Sequence, residues 1–201
     1  MDWVLDSLDA LAGSPWAYAL ILAVAAVDAF LPVVPSEATV VTAGVFAAVG
    51  DLSLTLVIAA AAGGALTGDT ASYAGGRLLS GRIGPWLERT PARQRRTERA
   101  RRLLDRRGAF VVLGARFVPG GRTAVTLTAG AIRFRFLRFG VYAVVAAALW
   151  ATYAGLVGYL GGRAFAEQPL VAVGAALGGV ALVALLVEAV RRLRVSPCPA
   201  A

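Results

Sequence analysis

The 201-residue sequence contains no histidine, no lysine and a single cysteine, Cys198, close to its end. Without histidine there is no Ser-His-Asp triad, no histidine general base and no histidine-ligated metal. One cysteine also excludes an internal disulfide framework and a cysteine-rich zinc site. We therefore expect no catalytic residues, no metal and no cofactor.

Charged residues are scarce as well. They make up 16% of the chain, against roughly 25% in soluble domains, whereas 58% of the residues are hydrophobic. This composition predicts a membrane protein. The formal net charge of +8 arises from residues 77–107, which hold 11 of the 20 arginines and three acids. Such a run can bind nucleic acid, but the apolar stretches on both sides favour a cytoplasmic loop that follows the positive-inside rule.

The hydropathy pattern predicts an all-α, polytopic membrane protein. Membrane spans are expected at about 53–79, 139–161 and 168–190, the last being followed by a basic tail. Residues 1–14 place apolar side chains on one helical side and three aspartates on another, which is typical of an amphipathic helix at the membrane interface.

Two other apolar stretches are broken in the middle. The stretch 16–49 is interrupted between Pro32 and Pro35, and the stretch 109–132 at Pro119. Each arm is shorter than the roughly 20 residues that a spanning helix needs. We therefore predict two re-entrant hairpins, although the first stretch could instead be a full span followed by a half-helix.

The two halves of the chain also resemble each other. The pattern Tyr-x-Gly-Gly-Arg occurs at 73–77 and again at 159–163, and Phe-x-Pro occurs at 30–32 and 117–119. These matches predict an inverted repeat, with the first hairpin entering from outside and the second from the cytoplasm. The basic segment and the C-terminus are then cytoplasmic and the N-terminus is external. Interrupted segments in two corresponding halves point to a transport site near the bilayer midplane.

Ionisable groups in apolar sequence are costly and are candidates for function. Five stand out: Asp28, Glu37, Asp69, Arg116 and Arg122. If the hairpin tips meet, the carboxylates face the guanidiniums. This set can hold the hairpins together as a structural ion-pair cluster or can form a substrate site.

A phosphate site is predicted at the second break. Arginine binds phosphate through two hydrogen bonds, and Gly120 and Gly121 leave backbone N–H groups accessible to an anion. Arg116, Arg122 and the two glycines are therefore candidate substrate-binding residues. The acids Asp28, Glu37 and Asp69 suit proton coupling or gating.

Gly64 and Gly68 have the spacing of a close helix contact. We expect a packing role for both. Asp69 then has two possible roles: it accepts a hydrogen bond from Tyr73 or it pairs with an arginine.

Three ordered motifs make the sequence similar to the DedA family of bacterial inner-membrane proteins, which share the VTT domain with eukaryotic lipid scramblases. The first motif comprises two acids around a proline break: Asp28, Pro32, Pro35 and Glu37. The second comprises Gly68, Asp69, Tyr73, Gly76 and Arg77. The third is Arg-Phe-x-Pro-Gly-x-Arg-Thr at 116–123, and Trp150 matches a later tryptophan.

The resemblance implies a membrane domain over about 15–165, followed by a C-terminal helix and basic tail in 166–201. The family is implicated in flipping lipid phosphates, including undecaprenyl phosphate and phospholipids. Its functional residues, carried over, are Asp28, Glu37, Arg116 and Arg122. Asp28 stands where glutamate is commoner, and the proline pair is one residue wider than the usual Pro-x-Pro.

Together these observations predict a non-enzymatic, proton-coupled flippase or scramblase for lipid phosphates. Its expected partners are membrane lipids with phosphate headgroups, protons and further copies of the chain, but not nucleic acid. One alternative is an assembly protein whose basic segment binds anionic headgroups. Another is an intramembrane aspartyl enzyme, but its Gly-x-Gly-Asp motif fails at Leu66.

Overall fold

The computed structural model describes residues 15–30, 36–116, 118, 120–164 and 178, except for the side chains of 83–88, 93 and 96. These residues form six long α-helices and no strand. In chain order they are α1 (Pro15–Val27), α2 (Ser36–Val49), α3 (Leu54–Glu88), α4 (Pro91–Ala115), α5 (Gly121–Ala131) and α6 (Phe136–Ala164). The all-helical prediction is therefore confirmed for this part of the chain. The predicted helix at 1–14, the prolines Pro32, Pro35 and Pro119, and the segment 166–201 lie outside it.

Two helices are long and apolar enough to cross a membrane. They are the Leu54–Arg82 part of α3, with a mean hydropathy of 1.3, and the whole of α6, with a mean hydropathy of 1.7. Each has 29 residues and is about 43 Å long, against a hydrocarbon thickness of about 30 Å. They correspond to the spans predicted at 53–79 and 139–161.

The prediction that the basic segment is a loop is wrong, because the segment is helical. Helix α3 continues to Glu88, and α4 begins at Pro91 after the extended residue Thr90. Proline in the first turn after a threonine is a helix-start signal, which the charge of the segment obscured. The non-helical dihedral angles of Arg107 then bend α4. This bend separates its arginine-rich part from the apolar arm that leads to Ala115.

Both broken stretches form two helices around an interruption. We call residues 15–49 the first broken segment; it consists of α1, a turn at 28–30 and α2. We call residues 108–131 the second broken segment; it consists of the end of α4 and α5. Helix α5 begins after Gly120, whose φ of +69° lies in the left-handed region that favours glycine. The described helix ends lie on either side of the predicted breaks: α1 ends at Val27 and α2 begins at Ser36, and α4 ends at Ala115 and α5 begins at Gly121.

The second arm of each broken segment packs against a long helix at glycines. Gly44 of α2 lies against Gly155 and Gly158 of α6, and Gly130 of α5 lies against the backbone of α3 at Tyr73. A Cβ atom at Gly44 would lie 2.5 Å from the carbonyl oxygen of Gly155. Small residues are needed at these crossings because they let the helix backbones approach.

The core is divided into two apolar clusters. One contains buried residues of α1, α2, the first half of α3 and the second half of α6. The other contains buried residues of α4, the region 129–134, Tyr73 of α3 and the first half of α6. Because α3 and α6 pass through the clusters in opposite order, they run antiparallel. Asp69, near the middle of the first candidate span, lies on α3 between the residues of the two clusters, and Trp150, near the middle of the second, belongs to the first cluster.

Candidate functional site

Asp69 is the centre of a buried ionic network. Its side chain, on α3, is 1% exposed, and its two carboxylate oxygens are bound by different arginines. Arg116 Nη2 donates to Oδ2, and Arg122 Nε donates to Oδ1 at 2.6 Å. Both arginines come from the second broken segment, so Asp69 fixes that segment to the middle of α3.

Arg122 also reaches the first broken segment. Its Nη1 donates to Asp28 Oδ2 at 3.0 Å, and its Nη2 donates to the carbonyl oxygen of Ala65 at 2.7 Å. The guanidinium thus joins α5, α3 and the end of α1. Two arginines and two aspartates give a formal charge of zero, which is the condition for burying charged groups at tolerable cost.

Neutral side chains strengthen the junction at the first break. Ser36 Oγ donates to Asp28 Oδ2 at 2.9 Å. The next carbonyl group, that of Ala29, accepts hydrogen bonds from Thr123 Oγ1 at 2.8 Å and from Ser72 Oγ at 3.3 Å. The turn after α1 is therefore hydrogen-bonded to three helices: α2 through Ser36, α3 through Ser72 and α5 through Thr123. The predicted convergence of the two interruptions is present in the structure.

Trp150 of α6 connects the network to Glu37. The guanidinium carbon of Arg116 lies 5.7 Å from the centre of the indole ring, within the range of a cation–π interaction. The Trp150 side chain also hydrogen-bonds to the Glu37 carboxylate. Trp150 is buried, so α6 contributes an aromatic side chain to the network that α3 and α5 form.

The structure brings together four of the five predicted ionisable groups: Asp28, Asp69, Arg116 and Arg122. Within the described part of the chain, Glu37 forms no ion pair with either arginine. The sequence predicted that Glu37, as one of the two acids around the first break, faces the arginines; Asp69 takes that position instead. Of the two roles left open for Asp69, the arginine pair is the one observed.

The glycines of the second break act mainly through the backbone. Gly121 N–H donates to the carbonyl oxygen of Val118 at 2.8 Å, so it is already used within the turn. A Cβ atom at Gly121 would lie 2.8 Å from both the Ala115 oxygen and the Val118 Cβ. These contacts explain Gly121 by close packing.

Gly68 and Tyr73 contribute to helix packing rather than to the ionic network. A Cβ atom at Gly68 would lie 2.5 Å from the Ala26 oxygen and from the Ala29 Cβ, so the expected packing role is confirmed. Tyr73 stacks on Phe139 and donates its hydroxyl hydrogen to the Phe134 carbonyl group. Its hydroxyl also accepts a hydrogen bond from Arg77 at 3.3 Å. It does not donate to Asp69.

Sequence reasoning missed the hydroxyl groups of Ser36, Ser72 and Thr123. Serine and threonine are common in membrane helices, so only their position next to the breaks could have marked them. Trp150 was noted only through the family resemblance. Among the described residues, no group of three or more histidine, cysteine or acidic side chains could hold a metal ion.

Comparison with known proteins identifies the family. Residues 31–160 match the VTT domain, a range that contains Glu37, Asp69, both network arginines and Trp150. The chain belongs to the DedA family of membrane proteins. Asp28 lies just before the matched range.

Curated members of the family are similar over most of this chain. The uncharacterized membrane protein slr0232 of Synechocystis is 30% identical, over 86% of this chain and 80% of its own length. Inner membrane protein YohD of Escherichia coli is 32% identical over 65% of this chain and 66% of its own. Protein DedA of Escherichia coli is 26% identical over 70% and 68%. No solved structure matches the chain significantly.

Proposed function

We propose that this membrane protein moves lipid phosphates, such as undecaprenyl phosphate or phospholipids, between the leaflets as a proton-coupled flippase or scramblase. The observation that carries the proposal is the position of Arg116 and Arg122. Both are buried against carboxylates near the middle of the two candidate spans. Intramembrane charges at this depth mark substrate or ion pathways, and arginine suits a phosphate group.

The architecture that goes with this function is an inverted repeat of two re-entrant hairpins. Two features support it: α3 and α6 run antiparallel, and the second arm of each broken segment packs at a glycine against the long helix of the other half. In this arrangement the protein is a multi-pass protein of the bacterial inner membrane. Its basic segment and C-terminus are cytoplasmic and its N-terminus is external.

The ionic network supplies a mechanism for proton coupling. Both oxygens of Asp69 are bound by arginines, so a phosphate group at either guanidinium adds a negative charge beside this carboxylate. Protonation of Asp69 or Asp28 removes a negative charge and weakens its hold on the guanidiniums. A lipid phosphate can then bind beside the guanidiniums while the local charge stays balanced. The headgroup and the proton therefore bind together.

Glu37 has a gating role in this scheme. It contacts the same indole ring that covers Arg116. A change in the charge of Glu37 alters its hydrogen bond to Trp150 and hence the support of the Arg116 guanidinium. Glu37 thus connects the protonation of the first broken segment to the substrate site.

Reconstitution tests the transport proposal directly. The purified protein is placed in liposomes with fluorescent polyprenyl phosphate or fluorescent phospholipid, with and without a pH gradient. We expect leaflet exchange with the wild type and at least a tenfold loss for Arg116→Ala, because a charge-assisted hydrogen bond is worth about 1.5–3 kcal/mol. The matched control is Arg138→Ala, whose guanidinium is half-exposed and pairs with Asp105. Unchanged exchange in both Arg116→Ala and Arg122→Ala would refute the site.

A second candidate function is membrane assembly through the arginine-rich part of α4. This surface is anchored by the buried Leu104 and by Arg101, which donates to the Ile132 carbonyl oxygen at 2.6 Å. Its exposed arginines can bind anionic headgroups. In a complementation assay, assembly predicts a larger defect from Arg95, Arg99, Arg102 and Arg106 changed to glutamine than from Arg116→Ala. Transport predicts the reverse order.

We propose that the protein is not an enzyme. An aspartyl enzyme needs two carboxylates that share a proton. Here Arg122 lies between Asp28 and Asp69 and binds both. Cleavage of a helical substrate that disappears in Asp69→Asn would contradict this statement.

A further inference from the structure

The two arginines of the network are not equivalent. All three nitrogens of the Arg122 guanidinium are engaged: Nε with Asp69, Nη1 with Asp28 and Nη2 with the Ala65 carbonyl oxygen. Each partner belongs to a different part of the first half of the chain. Releasing Arg122 would therefore break several contacts at once, including those that join the two broken segments.

Arg116 has a donor to spare. Its side chain is 2% exposed, and its Nη2 donates to Asp69. Its Nε is buried and has no hydrogen-bond partner among the described residues. The reason lies in Asp69, which divides its two oxygens between two arginines and so cannot bind Arg116 through two parallel hydrogen bonds.

An unsatisfied donor on a buried cation is costly, and an anionic oxygen is the group that satisfies it best. The Trp150 ring lies over the Arg116 guanidinium, and the guanidinium N–H groups point outward in its plane. An anionic ligand oxygen bound at Nε would therefore satisfy this donor without breaking the ion pair between Arg116 and Asp69. On Arg122, by contrast, each of the three nitrogens already has a partner.

On the basis of the proposed function, we infer that Arg116 is the residue that binds the phosphate group, through its Nε, whereas Arg122 is a positioning residue that holds the two broken segments together. The ligand is an anionic phosphate oxygen. It can belong to a lipid headgroup or to free phosphate. A single free donor binds less tightly than a complete guanidinium fork, which suits a carrier that must release its substrate.

The inference is tested by magnetic resonance on the full chain in a phosphate-free detergent. Arginine is labelled with ¹⁵N at Nε, and the ³¹P–¹⁵N dipolar contact is measured with farnesyl phosphate and, separately, with inorganic phosphate. The variants are Arg116→Lys and Arg122→Lys, each of which keeps a positive charge but loses Nε. Arg138→Lys is the control for contacts made by surface arginines.

We expect a contact in the wild type that is kept in Arg138→Lys and lost in Arg116→Lys, with affinity for the phosphate ligand falling about tenfold or more. The stronger of the two phosphate ligands identifies the source. We also expect Arg122→Lys to lower the thermal midpoint far more than Arg116→Lys, and to retain the contact under conditions where it is folded.

Two results would overturn the inference, and they differ in what else they reject. A contact that persists in Arg116→Lys but is lost in folded Arg122→Lys reverses the roles and leaves the transport proposal standing. Absence of any specific contact in the wild type with both ligands rejects the inference and the phosphate-transport proposal together. Equal loss of thermal stability in the two lysine variants also contradicts the division of roles.

Discussion

The two broken segments have the same helical outline but opposite charges. The first contributes the carboxylates of Asp28 and Glu37, and the second contributes the guanidiniums of Arg116 and Arg122. Asp28 and Ala29, which follow α1, contact Arg122 and Thr123 at the start of α5. The difference in charge lets the two segments, together with Asp69, form a charge-balanced centre that neither segment could bury alone.

The segments also differ in how they depend on α3. The second segment binds directly to Asp69. Asp69 lies on α3 between Ala65 of the first cluster and Tyr73 of the second. The first segment meets α3 mostly through close packing, with Leu22 against Gly64 and Ala26 against Gly68. Loss of an ionic partner should therefore harm the second segment more than the first.

The largest expected effect is that of Asp69→Asn. The substitution leaves two buried guanidiniums without their shared carboxylate, and removing one partner of a buried pair costs about 3–5 kcal/mol. Unfolding by sodium dodecyl sulfate in mixed micelles, followed by circular dichroism, measures the loss. The control is Asp105→Asn, whose half-exposed pair with Arg138 should contribute about 0–1 kcal/mol. Equal effects of the two substitutions would mean that the buried network is not a centre of stability.

The next largest effect concerns the glycine crossings, which test whether the two segments are docked in the same way. Gly158→Ala and Gly130→Ala place a methyl group against the backbone of Val41 and Tyr73, respectively. Each should destabilise the protein by about 1–3 kcal/mol in the same unfolding assay. A loss of stability at one crossing but not at the other would show that the two segments are not docked in the same way.

The matched controls for these glycines are Gly63→Ala and Gly140→Ala. A Cβ atom at either position meets no atom within 4 Å. Since alanine is favoured over glycine in helices by up to about 1 kcal/mol, both controls should be neutral or slightly stabilising.

A double-mutant cycle measures the link between the segments. Asp28→Asn and Arg122→Gln should show a coupling free energy of about 0.5–3 kcal/mol, as expected for residues in contact within one network. The same cycle with Glu37→Gln in place of Asp28→Asn should give a smaller value, because Glu37 contacts Trp150 instead. A larger coupling for Glu37 would restore the pairing that the sequence predicted.

The smallest effect on stability should come from Glu37→Gln alone. Glutamine keeps an oxygen that can accept the hydrogen bond from Trp150, so we expect a loss below about 1 kcal/mol. Its effect should be seen instead in the liposome assay, where a pH gradient should accelerate leaflet exchange less than in the wild type. An unchanged response to the gradient would remove Glu37 from the gating scheme.

Much of the local structure was predictable. Residues 32–35 and 119–121 combine proline or glycine with apolar flanks, so both interruptions could be located from backbone preferences alone. The helical form of 91–107 was not recognised, because its arginines suggested a loop and its start signal at Thr90 and Pro91 was overlooked. Charge predicts sidedness in a membrane but not whether a segment is helical.

The site was predictable in its members but not in its pairing. Asp28, Asp69, Arg116 and Arg122 stand out in the sequence because an ionisable group in an apolar helix needs a partner. Which acid meets which arginine depends on the rotation and depth of four helices, and a single residue changes the helical direction by about 100°. Hence Asp69 pairs with both arginines, one of the two roles expected of it, whereas Glu37 contacts Trp150.

By itself, the amino-acid sequence determined the membrane environment, the positions of the two candidate spans and of the breaks, and the need to neutralise a few buried charges. These follow from local properties: hydropathy, backbone preference and the cost of desolvation. Only the tertiary structure decided that Asp69 binds two arginines, that all three nitrogens of Arg122 have partners and that Arg116 Nε has none among the described residues. A hydrogen bond requires a donor–acceptor distance of about 2.7–3.2 Å. For residues far apart in the chain, that distance is set only when the helices have packed.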